Sequence, residues 1–92
     1  MFAVGRNYPS PFRGSTDIAF ELATESSVEL VVYNLLGQEV LRLAYGRYRT
    51  GTYRVRWDGR DDEQEPVASG VYLFRVQTDR HISQTRTMVL RQ

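Results

Sequence analysis

The chain has 92 residues, 41% of them hydrophobic, with 12 basic and 11 acidic side chains and a net charge of +1. That describes one small domain, able to bury about 60% of its surface, with no charge excess to steer it towards nucleic acid or anionic lipid. It contains neither Lys nor Cys, which excludes lysine Schiff bases, disulfides and thiolate nucleophiles or metal ligands.

The chain opens on Met1 and a short apolar run, Phe2, Ala3 and Val4, too brief for a signal-peptide core. No apolar run nears the ~18 residues of a membrane span. Residues 1–6 read as a linker from an upstream segment, so the chain reads as part of a longer protein. Next comes RNYPSPFRGST, residues 6–16. Pro9 and Pro11 stiffen this stretch, bias Tyr8 and Ser10 away from helix and remove two backbone donors. It cannot join the middle of a sheet and reads as a strap, on which Tyr8 and Phe12 can dock while the prolines limit the entropy lost on ordering.

From there the rhythm is two residues, not 3.6. Over residues 17–22, Ile18, Phe20 and Leu22 share a face against Asp17, Ala19 and Glu21. Over 28–34, Val28, Leu30 and Val32 oppose Glu29, Val31 and Tyr33. Residues 38–44 carry Val40, Leu41 and Leu43. Tyr53, Val55 and Trp57 alternate with Arg54 and Arg56; Tyr72, Phe74 and Val76 alternate with Leu73 and Arg75; Met88 and Leu90 give the inner set of a last strand over 85–91. Turn signals separate these runs: 23–26, the reversal at Gly37, 49–51, a long polar connection over 58–70, and 79–81. Short half-buried strands with breaks every ~8–12 residues specify an all-β sandwich or barrel, antiparallel, with one face of each sheet wet.

Several residues could carry chemistry. Asp58, Asp61 and Asp62, with Glu63 and Glu65 nearby, supply oxygens suited to calcium, but not in EF-hand register; a solvated turn accounts for them equally. Tyr45 and Tyr48, read as lying in a Gly-containing loop, could form a sugar-stacking platform, whereas Tyr53 and Trp57 belong inside. His81 is the only histidine, placed in a turn without an acid or nucleophile at fixed spacing. Ser15 and Thr16 read as turn residues. The arginines are spread over most strands and balanced by acids, as on a solvated face.

One ordered series of motifs goes further. RNYPSPFRGST, VELVVYNLLGQEVLRL, GTYRVRWDGRDDEQEPVASGVYLFRV and TMVL together resemble the C-terminal sorting domain of the type IX secretion system, and the related immunoglobulin-like domain of flagellar hook-cap proteins. The resemblance runs from about Arg6 to Leu90. Asn7, Tyr8, Pro9, Pro11 and Phe12 match its opening NYPNPFNPST, with Ser10 for the second Asn and Arg13-Gly14 for Asn-Pro. Val32, Tyr33, Asn34, Gly37, Gln38 and Val40 match VYNxxGQxV. Gly51, Trp57, Asp58, Gly59, Val67, Ala68, Ser69, Gly70, Val71, Tyr72 and Arg75 match the long third motif, in which Glu65 replaces a Gly. Only Arg86, Met88, Leu90 and Arg91 match the closing KKMxLLK.

The resemblance implies an immunoglobulin-like β-sandwich of about seven strands over residues 7–92. It implies a non-catalytic, monomeric address tag, without cofactor or membrane span. Such a tag directs its upstream cargo through the periplasm to the outer-membrane translocon, and on to the cell surface or the medium. A sortase-like peptidase would be a further protein partner. The translocon contacts would fall on Arg86, Met88, Leu90 and Arg91. The alternatives are a carbohydrate-binding or structural immunoglobulin-like accessory module of a multidomain extracellular enzyme.

Overall fold

A computed structural model describes residues 2–83 and 85–91, with Phe2 and Ala3 as backbone only. Met1 and Gln92, the ends of the expected linker and domain, lie outside the described residues. Seven strands follow one another: β1 (Phe2–Tyr8), β2 (Thr16–Leu22), β3 (Ser26–Tyr33), β4 (Glu39–Tyr48), β5 (Gly51–Trp57), β6 (Gly70–Thr78) and β7 (Arg86–Leu90). They form two antiparallel sheets, ordered β1-β2-β5 and β4-β3-β6-β7. The all-β fold is a sandwich rather than a barrel. Among the described residues no helix is long and apolar enough to cross a membrane.

The two-residue rhythm sets the core. Ile18, Phe20 and Leu22 from β2, and Trp57 from β5, meet Val28, Leu30 and Val32 from β3, Tyr72, Phe74 and Val76 from β6, and Met88 and Leu90 from β7. Each such side chain contributes roughly 1.5–3 kcal/mol when it leaves water. The opposite face of the four-stranded sheet surrounds a buried Val31 with polar contacts: Arg42 pairs with Glu29 at 3.1 Å, and Arg75 donates to the Tyr33 hydroxyl at 2.9 Å.

Three readings of the sequence are corrected. Residues 2–6, expected as a linker, lie in β1 and pair with β2 (Phe2↔Leu22, Val4↔Phe20). As an edge strand with one partner and a bulge between Val4 and Asn7, β1 lacks the alternation that marks the others. The strand expected over 38–44 runs on to Tyr48, so Tyr45 and Tyr48 are strand residues. Three positions apart, they do not make one platform. Tyr45 is exposed with the Arg42 guanidinium 4.5 Å from its ring centre, whereas half-buried Tyr48 meets Phe20 and Tyr53 edge-on. Tyr8, expected to dock with Phe12, is 76% exposed.

The β3–β4 hairpin shows what the VYNxxGQxV residues do. The Asn34 side-chain oxygen accepts the backbone N–H groups of Leu36 and Gln38, its amide donates to Gln38 Oε1 at 2.8 Å, and Gly37 N–H donates to the Asn34 carbonyl. The chain reverses at Gly37 with φ 80°, and a Cβ there would meet no atom within 4 Å. Gly37→Ala should therefore cost only the backbone strain of the left-handed region, about 1–2 kcal/mol. For a domain this size that is a fall of roughly 4–8 °C in Tm per kcal/mol, readable by thermal circular dichroism.

Candidate functional site

The strap closes one end of the sandwich. It leaves β1 after Tyr8, with the Tyr8–Pro9 and Ser10–Pro11 peptide bonds both cis, and re-enters the fold at β2. Asn7 and Thr16 bracket it and are buried, at 4% and 1% exposure. The Asn7 amide donates to Thr16 Oγ1 (3.1 Å) and to the Pro9 carbonyl (3.2 Å), and the Thr16 hydroxyl donates to that same carbonyl (2.9 Å). These bonds supply what the prolines cannot. Buried polar groups that lose one partner cost about 1–3 kcal/mol. Thr16→Val, which keeps shape but removes the hydroxyl, should lower unfolding stability by that amount in urea titration.

Phe12 carries the strap across to the other sheet. Its N–H donates to the Val89 carbonyl and its carbonyl accepts the Arg91 N–H, both at 2.9 Å, forming a one-residue parallel bridge to Leu90. Its ring, 2% exposed, meets Trp57 edge-on at 5.7 Å, and Trp57 meets Tyr72 at 5.4 Å. The strap is thus tied to the last strand by its backbone and to β5 and β6 by one aromatic stack.

The remaining motif residues serve this stack. Trp57 Nε1 donates to the Arg60 carbonyl (2.9 Å). The turn that presents that carbonyl needs Gly59 at φ 75° and a Val67 N–H bond to the Gly59 carbonyl. The Tyr72 hydroxyl donates to the Ala68 carbonyl at 2.7 Å, and burial pushes its pKa above the ordinary tyrosine value. Gly37 and Gln38 belong instead to the separate β3–β4 hairpin. The tryptophan and glycine spacings therefore encode a packing device.

The acidic loop is occupied with its own backbone. Asp61 Oδ1 accepts the N–H groups of Glu63 and Glu65, Asp58 lies 3.9 Å from Arg60, and among the described residues no group of three His, Asp or Glu converges as metal ligands do. His81 sits in the β6–β7 turn, its carbonyl accepting Thr78 N–H at 2.7 Å. Of the four residues expected to contact a translocon, Met88 and Leu90 are at 0% and 1% exposure and belong to the core. Arg91 is exposed, whereas half-buried Arg86 lies on the same face of β7 as Met88 and Leu90. Two contributors escaped the sequence reading. Thr16, read as a turn residue, is part of the strap lock. Arg86 reaches from β7 to the Val4 carbonyl of β1, at 3.3 Å.

The sequence pattern of the FlgD Ig-like domain family matches residues 6–81. No match was found among curated proteins. Among solved structures, the fold is similar to part of dimeric latent PorU from Porphyromonas gingivalis, with a TM-score of 0.78 and 17% identity over 98% of this chain and 9% of that one. It is similar to part of PorZ, described as an essential bacterial surface component of the type-IX secretion system of the same organism, with a TM-score of 0.65 and 19% identity over 98% of this chain and 12% of that one. FlgD from P. aeruginosa aligns with a TM-score of 0.64 and 27% identity over 82% of this chain and 59% of that one. The chain thus spans less than two thirds of each of these proteins.

Proposed function

Given that the chain belongs to the family of FlgD Ig-like domains, we propose that it is a non-catalytic sorting and anchoring module, which carries an upstream cargo through the type IX secretion translocon to the cell surface. The observation that carries this reading is the likeness, over 98% of the chain, to segments of both PorU and PorZ. The family match is to a small immunoglobulin-like module, and no catalytic family is evident. The translocon and a sortase-like peptidase are the proposed protein partners.

The geometry suits this role. A tag must present the same surface whatever precedes it. Here the strap is fastened to the last strand through Phe12, and β1, through which an upstream cargo would enter, is held by its ladder with β2. Exposed Arg13 and Arg91 flank the bridge between Phe12 and β7 and offer accessible charge for recognition.

Fusing residues 1–92 behind a reporter in a type IX–competent host tests the reading. The reporter should reach the surface or medium; the same reporter with the FlgD domain of P. aeruginosa fused behind it should stay in the periplasm. Retention of both, with the domain folded, would leave a structural spacer, the reading that the 27% identity to FlgD favours. Carbohydrate binding gains nothing from the structure, since Tyr45 and Tyr48 do not form a platform.

A further inference from the structure

The edges of the two sheets, β1 and β7, face each other across a cleft of about 810 Å³ lined by Arg6, Asn7, Ser10, Thr85, Arg86 and Thr87, among others. Among the described residues no acidic side chain lines it. Arg6 lies in the bulge where the β1–β2 ladder skips from Val4↔Phe20 to Asn7↔Ile18, a device that re-aims side chains. Arg86 crosses from β7, with one Nη2–H on the Val4 carbonyl, while its buried Nε has no hydrogen-bond partner among the described residues. A buried donor left unpaired is costly, more so on a charged group. An anionic oxygen in the cleft would meet the positive charge of Arg6 and Arg86, which no lining side chain neutralises.

The backbone adds a second requirement. Val89 C=O and Arg91 N–H point away from β6, since both are bonded to Phe12. Strand alternation then turns the N–H and C=O of Thr87 the same way, into the cleft. The strap covers the second half of β7's outer edge and leaves the first half open. An open edge of this kind takes an extended chain by strand addition.

We propose that this cleft binds an extended acidic peptide segment, which adds beside the first half of β7 in line with Phe12 and sets a carboxylate against Arg6 and Arg86. The occupant is a peptide rather than a small anion because the cleft is long, carries the three hydroxyls of Ser10, Thr85 and Thr87, and offers a free backbone donor and acceptor. It is acidic because the lining supplies two cations and no anion. The site is a property of the isolated domain and does not depend on the sorting role.

Titrating the ¹⁵N-labelled chain with a hexapeptide of alternating Thr and Glu tests this. Amide shifts should be confined to Arg6, Asn7 and residues 85–88. The Thr-Gln counterpart should bind about tenfold more weakly or worse, the effect of losing a charge-assisted hydrogen bond. Thr87→Pro, which removes the outward N–H together with one lining hydroxyl, and Arg6→Gln, on the bulge, should each weaken binding similarly, with Trp57 fluorescence reporting that the fold is kept. Should Thr87→Pro fail to fold, Arg6→Gln decides alone. Equal binding of the Gln peptide, absence of shifts at these amides, unchanged affinity in Arg6→Gln, or the same shifts from inorganic phosphate at equal concentration would each overturn the proposal.

Discussion

Trp57→Ala is expected to leave the domain unfolded or nearly so at physiological temperature. Trp57 is fully buried. It is the middle member of the stack that runs from Phe12 on the strap to Tyr72 on β6, so its loss opens a cavity between the sheets and removes the seat of the strap. Truncations of this kind cost about 3–5 kcal/mol. A small domain holds only about 5–15 kcal/mol in total, with less to spare as size falls. The Arg60 carbonyl would also lose its indole donor. Trp57→Phe separates the two effects: it keeps most of the ring contact and should cost only the carbonyl's lost bond, roughly 1–3 kcal/mol. Urea unfolding followed by circular dichroism gives both values. A cost below about 1 kcal/mol for the alanine variant would show that the stack does not hold the fold.

Deleting residues 87–92 should be as severe. It removes Met88 and Leu90 from the core and uncovers Tyr72 and Phe74. It also takes away Val89 C=O and Arg91 N–H, the two groups that hold Phe12. We expect no cooperative thermal transition in the truncated chain and no export of a reporter fused to it. The loss of export would then report on folding, not on recognition. Arg91→Glu makes the distinction, because its exposed side chain can reverse charge with a change in stability within about 0.5 kcal/mol. Export reduced in this variant, at unchanged Tm, places recognition on the strap–β7 end. Unchanged export moves recognition elsewhere on the surface.

The strands that were legible in the sequence are those with two neighbours or a full inward set. Val28, Leu30 and Val32 in β3, and Tyr72, Phe74 and Val76 in β6, alternate cleanly because each strand sits inside its sheet and faces the core on one side only. β1 was not legible. It lies at an edge, and its bulge at residues 5 and 6 breaks the alternation. β4 was read short because two register shifts against β3 set Val40 next to Leu41, and Gly46 imitates a loop. The strap's stiffness could be read from Pro9 and Pro11, but not what locks it. Asn7 and Thr16 are nine residues apart, and their bond exists only once β1 and β2 have paired. Arg86 is the extreme case. Its contact with Val4 spans 82 positions, and nothing local signals which arginine is drawn inward.

The account rests on the strap staying shut against β7, so that the domain presents one closed surface whatever precedes it. Native-state hydrogen exchange of the Phe12 and Arg91 amides tests this most directly. Both should exchange only through global unfolding, in one slow class with Val31 and Arg75, paired at the centre of the larger sheet. Exchange of Phe12 and Arg91 by local opening, while those central amides stay protected, would contradict it.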